Sequence, residues 1–421
     1  MSRTASNIHL LKEISRTGGC VHPIRLRGEV VNAATGEVNE RSLLLSCKDR
    51  RRLVCPSCSD LYKADAWILV SAGLIGGKGV PPSVRDHPRL FLTLTAPSFG
   101  AVHTRRANGT CRPERQSTCG HGTPLSCVLN HVDDDPNLGA PLCERCFDYR
   151  NSVLWNATAS RLWNRTLEQV RRRLAISQGL ETRDFNQHAR LSYLKVAEFQ
   201  RRGLVHFHVV LRADGAGETF SPPPSWLTSG LLSDCLIEVV SKFSITTPNG
   251  EVRWGRQFHV SDASLLDRDD LRIAGYLAKY ATKTTDGTLD FARRFPSRAV
   301  IARSSSSTHL RQLALTAWDL SFAPNLNMPH LRAHAHTFGF TGQLITKSRS
   351  YSTRFGDLRA VRAAFMASEA TPDAIIGKFA YDGRGYDDPR GAYVAELLHA
   401  MVVDARREVR SASSTEIESL S

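Results

Sequence analysis

No run of this sequence is long and apolar enough to cross a bilayer. The longest, AWILVSAGLIGG at Ala66–Gly77, is short and broken by glycine, where a spanning helix needs about 20 apolar residues. The start of the chain lacks the apolar stretch of a secretory signal. No GxxxxGK[ST] phosphate loop is present to power a fused helicase, and no internal repeat points to a solenoid. Acidic charge is in short supply, with 41 Asp and Glu against 55 Lys and Arg and a net charge of +14. With no membrane segment to explain it, that surplus points to nucleic acid as the partner. Cysteine is nearly missing from the chain after Cys146: only Cys235 lies there, and the other nine fall between Cys20 and Cys146. Such clustering, with two CxxC pairs, argues against a secreted disulfide framework and for bound zinc in a cytoplasmic protein.

The sequence divides into a Cys-rich N-terminal segment (1–89), a central region (90–290) interrupted by a Cys/His-rich insertion (103–147), and a mostly helical region (291–410). A Ser-rich tail (411–421) is expected to be disordered. FLTLTAPSF (Phe91–Phe99) is β-branched and aromatic, and reads as a strand stopped by proline. Trp155, Ala159, Leu162, Trp163, Leu167, Val170 and Leu174 recur at helical spacing and predict one long amphipathic helix. Tyr193–Arg212 alternates on both sides of RRGL and predicts a β-hairpin. DLRIAGYLAKYATK (Asp270–Lys283) predicts a helix, with further helices near Asp357–Ala367 and Gly391–Arg410.

Two patterns carry chemistry. Strand alternation puts His206 and His208 on one face and Phe207 on the other. Across the hairpin Val196, Glu198 and Gln200 share a face, so Glu198 falls close to opposite the histidines. Two imidazoles and a carboxylate leave open positions on a divalent ion, which then can also hold a phosphate oxygen. In the helix, Tyr276 and Tyr280 are four residues apart and share a face, accompanied by Lys279 and Lys283. A tyrosine hydroxyl aimed at a polarised phosphate is a nucleophile that yields a phosphotyrosine. Taken singly, each pattern also fits a plain structural role: two histidines on a half-buried strand, and two tyrosines that pack.

Together and in this order, FLTLTAPSF, EFQRRGLVHFH and YLAKY resemble the three motifs of HUH-type rolling-circle replication initiators. VPPSVRDHPRLFLTLTAPSFGAVHTR, PLCERCFDYRNSVLWNATASRLWNRT, KVAEFQRRGLVHFHVVLR and TKSRSYST extend the resemblance to actinomycete plasmid initiators of the RepSA family, over roughly Cys20 to Arg354. The resemblance implies an endonuclease and ligase that nicks one strand of a plasmid origin, presented single-stranded or as a cruciform. Its tyrosine holds the 5′ end and the free 3′ hydroxyl primes synthesis by host DNA polymerase, with a host helicase unwinding. Residue by residue, it implies a Mg2+ or Mn2+ ion on His206 and His208, with Glu198 as third ligand, and Tyr280 as the nicking residue. Some related initiators carry glutamate at the position of Tyr276; this chain has tyrosine, as in two-tyrosine phage-type enzymes. A rolling-circle transposase shares the same pattern, and a non-enzymatic zinc-containing repressor is the alternative from another class.

Structural Zn2+ is the expected second cofactor. Cys20, Cys47, Cys55 and Cys58 suit one site. Cys143 and Cys146 suit another, completed either by Cys127 and His131 or by Cys119 and His121, for two zincs in all. KSRSYSTR (Lys347–Arg354) mixes cations, hydroxyls and an aromatic, a composition suited to phosphate and an unstacked base. Lys347, Arg349 and Arg354, with Arg201 and Arg202 at the hairpin turn, are therefore the candidate DNA contacts. The expected architecture is α+β: an HUH endonuclease-like antiparallel sheet flanked by helices, with a zinc-binding N-terminal segment and insertion and a helical C-terminal region.

Overall fold

The computed structural model describes residues 3–32, 35–106, 109–112, 118–263, 270–282, 290–368 and 375–419. The fold is α+β with antiparallel sheets. In chain order the elements begin with α1 (Arg3–Arg16), β1 (Ile24–Asn32), β2 (Val38–Leu45), α2 (Pro56–Ile75) and β3 (Arg89–Leu94). Then come α3 (Tyr149–Ser177), a single turn α4 (Phe185–His188), β4 (Ala189–Phe199), β5 (Val205–Gly215) and α5 (Ser229–Lys242). A small hairpin, β6 (Ser244–Thr247) and β7 (Gly250–Arg253), precedes β8 (His259–Asp262) and α6 (Asp270–Tyr280). The chain ends with α7 (Arg298–Ala302), α8 (Thr308–Leu320), β9 (Ile345–Lys347), α9 (Phe355–Ser368), β10 (Ile375–Arg384) and α10 (Gly391–Ser419). Among the described residues no helix is long and apolar enough to cross a membrane.

Contacts divide the chain into two compact units, one of Met1–Asp65 with Arg354–Ser421 and one of Ala66–Thr353. These boundaries differ from the three consecutive segments expected, because β1 pairs along its length with β10 from the far end of the chain and with β2 on its other edge. The N-terminal segment thus needs the C-terminal strand to complete its sheet. The backbone is helical to Ser419 in place of a disordered tail from Ser411. Charge is unevenly shared: Ala66–Thr353 holds 35 of the cations against 23 acids, while the other unit, with 20 against 18, is nearly balanced. The polyanion-binding surplus therefore belongs to the larger unit.

That unit is built on a five-stranded sheet in the order β8-β3-β5-β4-β9. Alternation gives it two different faces. Leu90, Leu92 and Leu94 of β3 and Phe207, Val209 and Leu211 of β5 point to one side, where they bury against the stripe Trp155, Leu162, Trp163, Leu167, Val170 and Leu174 of α3. That stripe is the one the helical spacing predicts, and the helix runs longer because Asp148 caps it, its side chain accepting from Asn151 N–H. The opposite face carries the histidines. The hairpin turn between β4 and β5 is closed by Gln200 N–H to Leu204 C=O, 2.9 Å, and Gly203 N–H to Gln200 C=O, 2.8 Å. Gly203 has φ +73, where other residues are strained, and a Cβ there would also push on Leu313 Cδ1 at 2.2 Å, so glycine is favoured.

Candidate active site and metal clusters

The site forms where β3, β5 and β4 bring their polar face under α6. Register pairs Glu198 with His206 and Val196 with His208 across β4–β5, and Thr93 with His208 across β3–β5. Glu198 is thus opposite the histidines, as the alternation predicted. His208 is buried; its Nε2 lies 3.2 Å from Glu198 Oε2 and its Nδ1 3.3 Å from Thr93 Oγ1. An ionised carboxylate only accepts, so His208 Nε2–H donates to Glu198 while Nδ1 accepts from the Thr93 hydroxyl. His206 packs against His208 with ring centroids 4.5 Å apart. Burial, and then the neighbouring His208, hold the His206 imidazole down to about 4, so it is neutral near pH 7.

Gln200 sets the other side of His206. Arg202 Nε–H donates to Gln200 Oε1 at 2.8 Å, and its two terminal nitrogens donate to Pro97 and Ala96 C=O, each at 3.0 Å. Arginine has no acceptor, so Gln200 must turn its oxygen to Arg202 and its Nε2 to His206 Nδ1, 3.3 Å away. The turn is anchored from behind by buried Asn156 of α3, whose Nδ2 donates to Gly203 C=O at 2.9 Å and whose Oδ1 accepts from Val205 N–H at 3.0 Å. Thr93 and Asn156 were not singled out from the sequence, and Gln200 was named only as sharing a face with Glu198. For Thr93 the signal was available, since pairing FLTLT antiparallel to VHFHV puts a threonine beside a histidine.

The tyrosines sit over His208. The Tyr280 ring stacks on His208 with centroids 5.3 Å apart, Tyr276 meets His208 edge-on at 5.0 Å, and the two tyrosines are 4.6 Å apart. Desolvation and a hydrogen bond with Tyr280 push the Tyr276 hydroxyl up from its ordinary value. Opposite these rings, Ile273, Ala274, Leu277 and Ala278 are the buried face of α6. The first residue of the helix, Asp270, is clamped by Arg89 of β3, whose Nη1 reaches its two carboxylate oxygens at 3.0 and 2.9 Å. Lys279 is exposed on the same helix; Lys283 lies outside the described residues.

The cysteines form three clusters rather than two. Each brings four ligand atoms within 4.8 Å of one another: Cys20, Cys47, Cys55 and Cys58; His103, Cys111, Cys127 and His131; and Cys119, His121, Cys143 and Cys146. The first is the expected set, and the third is one of the two alternatives weighed for Cys143 and Cys146. The second was missed, because His103 and Cys111 stand alone in sequence and only the chain's path brings them to Cys127 and His131. Its chemistry suits a metal well. His131 presents Nε2 to the cluster, 3.5 Å from Cys127 Sγ, while its Nδ1–H donates to Asp135 at 2.5 Å. That carboxylate–histidine pairing orients ligating imidazoles and raises their basicity. In the first cluster, hydrogen bonding to Cys20 and its neighbours drives the Cys55 thiol down and the Cys58 thiol up. Four such thiols ionise together only around a cation. All three sets are compatible with structural zinc. The histidine–glutamate triad on the sheet is not among these tight groups.

The sequence profile of the family described as "Replication initiator protein, pSAM2" (RepSA) matches residues 8–400. The chain belongs to this family. A curated replication initiator protein of Streptomyces ambofaciens is 35% identical over 437 aligned residues, covering 94% of this chain and 92% of that protein. No solved structure matches the initiator.

The expected DNA contacts of the initiator fare unevenly. Arg201 and Arg202 lie in the β4–β5 turn. Lys347 belongs to edge strand β9, and its Nζ donates to Ser352 C=O at 2.7 Å. Ser348 caps Tyr193 N–H at 2.9 Å, and Tyr351 is fully buried with its hydroxyl donating to Val70 C=O at 3.2 Å. The hydroxyls and aromatic of KSRSYSTR thus serve the fold, leaving Arg349 exposed. Arg354 begins the segment assigned to the smaller unit.

Proposed function

We propose that this initiator nicks and rejoins one strand of plasmid origin DNA, through an HUH-type site made by the β4–β5 hairpin and α6. The observation that carries this reading is the stacking of Tyr280 on His208, which puts a phenol nucleophile beside a two-histidine, one-carboxylate set on adjacent strands. His206, His208 and Glu198 would hold a Mg2+ or Mn2+ ion, which when bound would polarise the scissile phosphate. Their donor types, two imidazoles and a carboxylate, suit such an ion, which on binding would displace the proton that His208 Nε2 gives Glu198 at 3.2 Å.

The residues of the chain do the rest. Tyr280 gives up its phenolic proton as its oxygen attacks phosphorus; the P–O3′ bond breaks, and the 3′ oxygen takes a proton. The products are a 5′-phosphotyrosine and a 3′ hydroxyl that host polymerase extends behind a host helicase. Tyr276, one turn away, repeats the attack on the regenerated junction, so the first 3′ hydroxyl can displace Tyr280 and reseal. Lys279 neutralises charge on the strand. The three cysteine clusters hold zinc structurally, since four protein ligands leave no position for substrate. Supercoiled plasmid with the cognate origin, incubated with the protein and Mn2+ or Mg2+, tests this. Open-circular product with protein attached to the 5′ end is expected, and its loss in His208→Ala with DNA binding retained. Full nicking by His208→Ala would remove the site.

A further inference from the structure

The larger unit holds a cleft of about 1210 Å3 with the Cys/His insertion as one wall and the active-site end of the sheet as the other. Six cations line it, Arg105, Arg112, Arg201, Arg202, Arg256 and Lys279, against a single acid, Asp133. Their availability differs. Arg202 is spent on Gln200 and two backbone carbonyls. Arg201 donates to the carbonyls of Asp133 and Asp135, and Arg105 pairs with Asp133 at 2.6 Å. Arg112 uses Nε on Val102 C=O at 3.2 Å. The side chains of exposed Arg256 and Lys279 have no ion-pair or hydrogen-bond partner among the described residues. Lys279 lies on α6 between the two tyrosines, so the cleft opens at the helix that carries them.

The insertion wall is fixed. Gly139, at φ +85, sits so close to the hairpin turn that a Cβ would lie 2.4 Å from the Arg201 backbone, and only glycine permits that approach. Asp135 joins three things: its carboxylate takes the Nδ1 proton of His131 in the second cysteine–histidine cluster, its carbonyl accepts from Arg201, and Arg201 belongs to the turn that ends in β5. His103, another member of that cluster, lines the cleft itself.

We propose that this cleft is a clamp for the unpaired strand that reaches the tyrosines, with the cluster of His103, Cys111, Cys127 and His131 holding its outer jaw. A two-walled groove with unneutralised cations tracks one phosphate backbone, and exposed Gln257 offers an amide to base edges. The proposal rests on the nicking reading only for where the strand leads, and binding can be measured without cleavage.

The test is fluorescence anisotropy of a single-stranded origin oligonucleotide against full-length protein, without added Mg2+ or Mn2+, over a salt series. Arg112→Gln with Arg256→Gln should weaken binding at least 10-fold, and reduce the slope of log affinity against log salt by about 1.4, roughly 0.7 for each phosphate no longer neutralised. Arg165→Gln with Arg183→Gln removes the same charge from exposed positions outside the cleft and should change binding less than threefold. Equal losses in the two double variants, or equal losses for single-stranded and duplex DNA of the same sequence, overturn the clamp. If the wild type never nicks but the cleft variants lose strand binding, the nicking reading fails and the clamp stands. If Tyr280 adducts form normally and the cleft variants bind as wild type does, the clamp alone fails.

Discussion

Arg89→Met tests how the tyrosine helix is held. Arg89 and Asp270 are almost wholly buried, with side chains 1% and 2% exposed. The guanidinium touches both carboxylate oxygens and also donates to Leu74 C=O at 2.9 Å. Methionine fills most of the volume but leaves a carboxylate in a dry site, and removing one member of a buried pair costs about 3–5 kcal/mol. The position of Asp270 at the start of α6 recovers some of this through the helix dipole, of the order of 1 kcal/mol. That leaves about 2–4 kcal/mol; in a unit of this size each kcal/mol is worth roughly 2–4 °C in melting temperature, so a fall of roughly 4–16 °C is expected in differential scanning calorimetry.

Replacing both partners separates a missing charge from a missing shape. Arg89→Met with Asp270→Leu leaves no buried charge, and such apolar replacements of a buried pair are often neutral. The double variant should therefore recover most of the lost melting temperature, with a coupling of about 1–3 kcal/mol between the two sites. If α6 is positioned by this pair, Arg89→Met should also lose phosphotyrosine adduct far more than it loses binding of the origin oligonucleotide. A single variant that melts within about 2 °C of wild type, or a double variant whose loss is the sum of the two single losses, refutes the reasoning.

Three other outcomes follow from the same structure. Metal analysis of purified protein should give close to three zinc ions, one per cluster, falling to about two in Cys127→Ser; folded, active protein with no zinc would remove the clusters as metal sites. Tyr280→Phe should lose the covalent adduct on a single-stranded origin, whereas Tyr276→Phe should form it and fail at the second transfer; peptide mapping that finds DNA mainly on Tyr276 reverses the order. Lys195 lies on the core face of the sheet with its ammonium 3.8 Å from the Phe207 ring centroid, and burial brings it down to about 7. The unfolded chain binds this proton more tightly, so the cost, on the order of 4 kcal/mol, is fully present below pH 7 and fades as pH rises toward 10. Lys195→Met should raise the melting temperature at pH 6.5 and flatten its rise between pH 7 and 9.5; an unchanged pH profile would count against a buried ammonium.

What was legible in the sequence was local. The β4–β5 hairpin reads directly because VHFHVVL alternates about a turn that favours Gly203, and the same alternation puts Glu198 across from the histidines. α3 reads because a heavy apolar stripe at helical spacing has no other solution. Contacts between distant parts of the chain were not legible. Nothing in IIGKFAYDGR marks it as the partner of β1, more than 300 residues earlier. His103 and Cys111 lack the CxxC spacing that announces a ligand pair, so the second cluster exists only in three dimensions. KSRSYSTR looked like a phosphate-binding loop because composition cannot distinguish a hydroxyl that meets solvent from one that caps a neighbouring strand.

On the zinc reading, the insertion has a physical reason to use metal for one side of the proposed site. Val128, Leu129 and Val132 are 72%, 57% and 63% exposed, so much of its apolar content lies on the outside and forms no core. A segment that small cannot supply one in any case, and small modules of this kind depend on metals or disulfides. A wall that must present Arg105 and Arg112 toward a groove has little room for an apolar interior, and two four-ligand clusters fix it without one. The arrangement has a consequence for the histidines. Asp135 orients His131 through its carboxylate and holds Arg201 through its carbonyl, and two residues C-terminal to Gln200 Arg202 sets the amide that faces His206. If the cluster holds zinc as proposed, loss of the metal would free Asp135, loosen the turn and blur the orientation of His206, coupling that ion to the proposed active face through one aspartate.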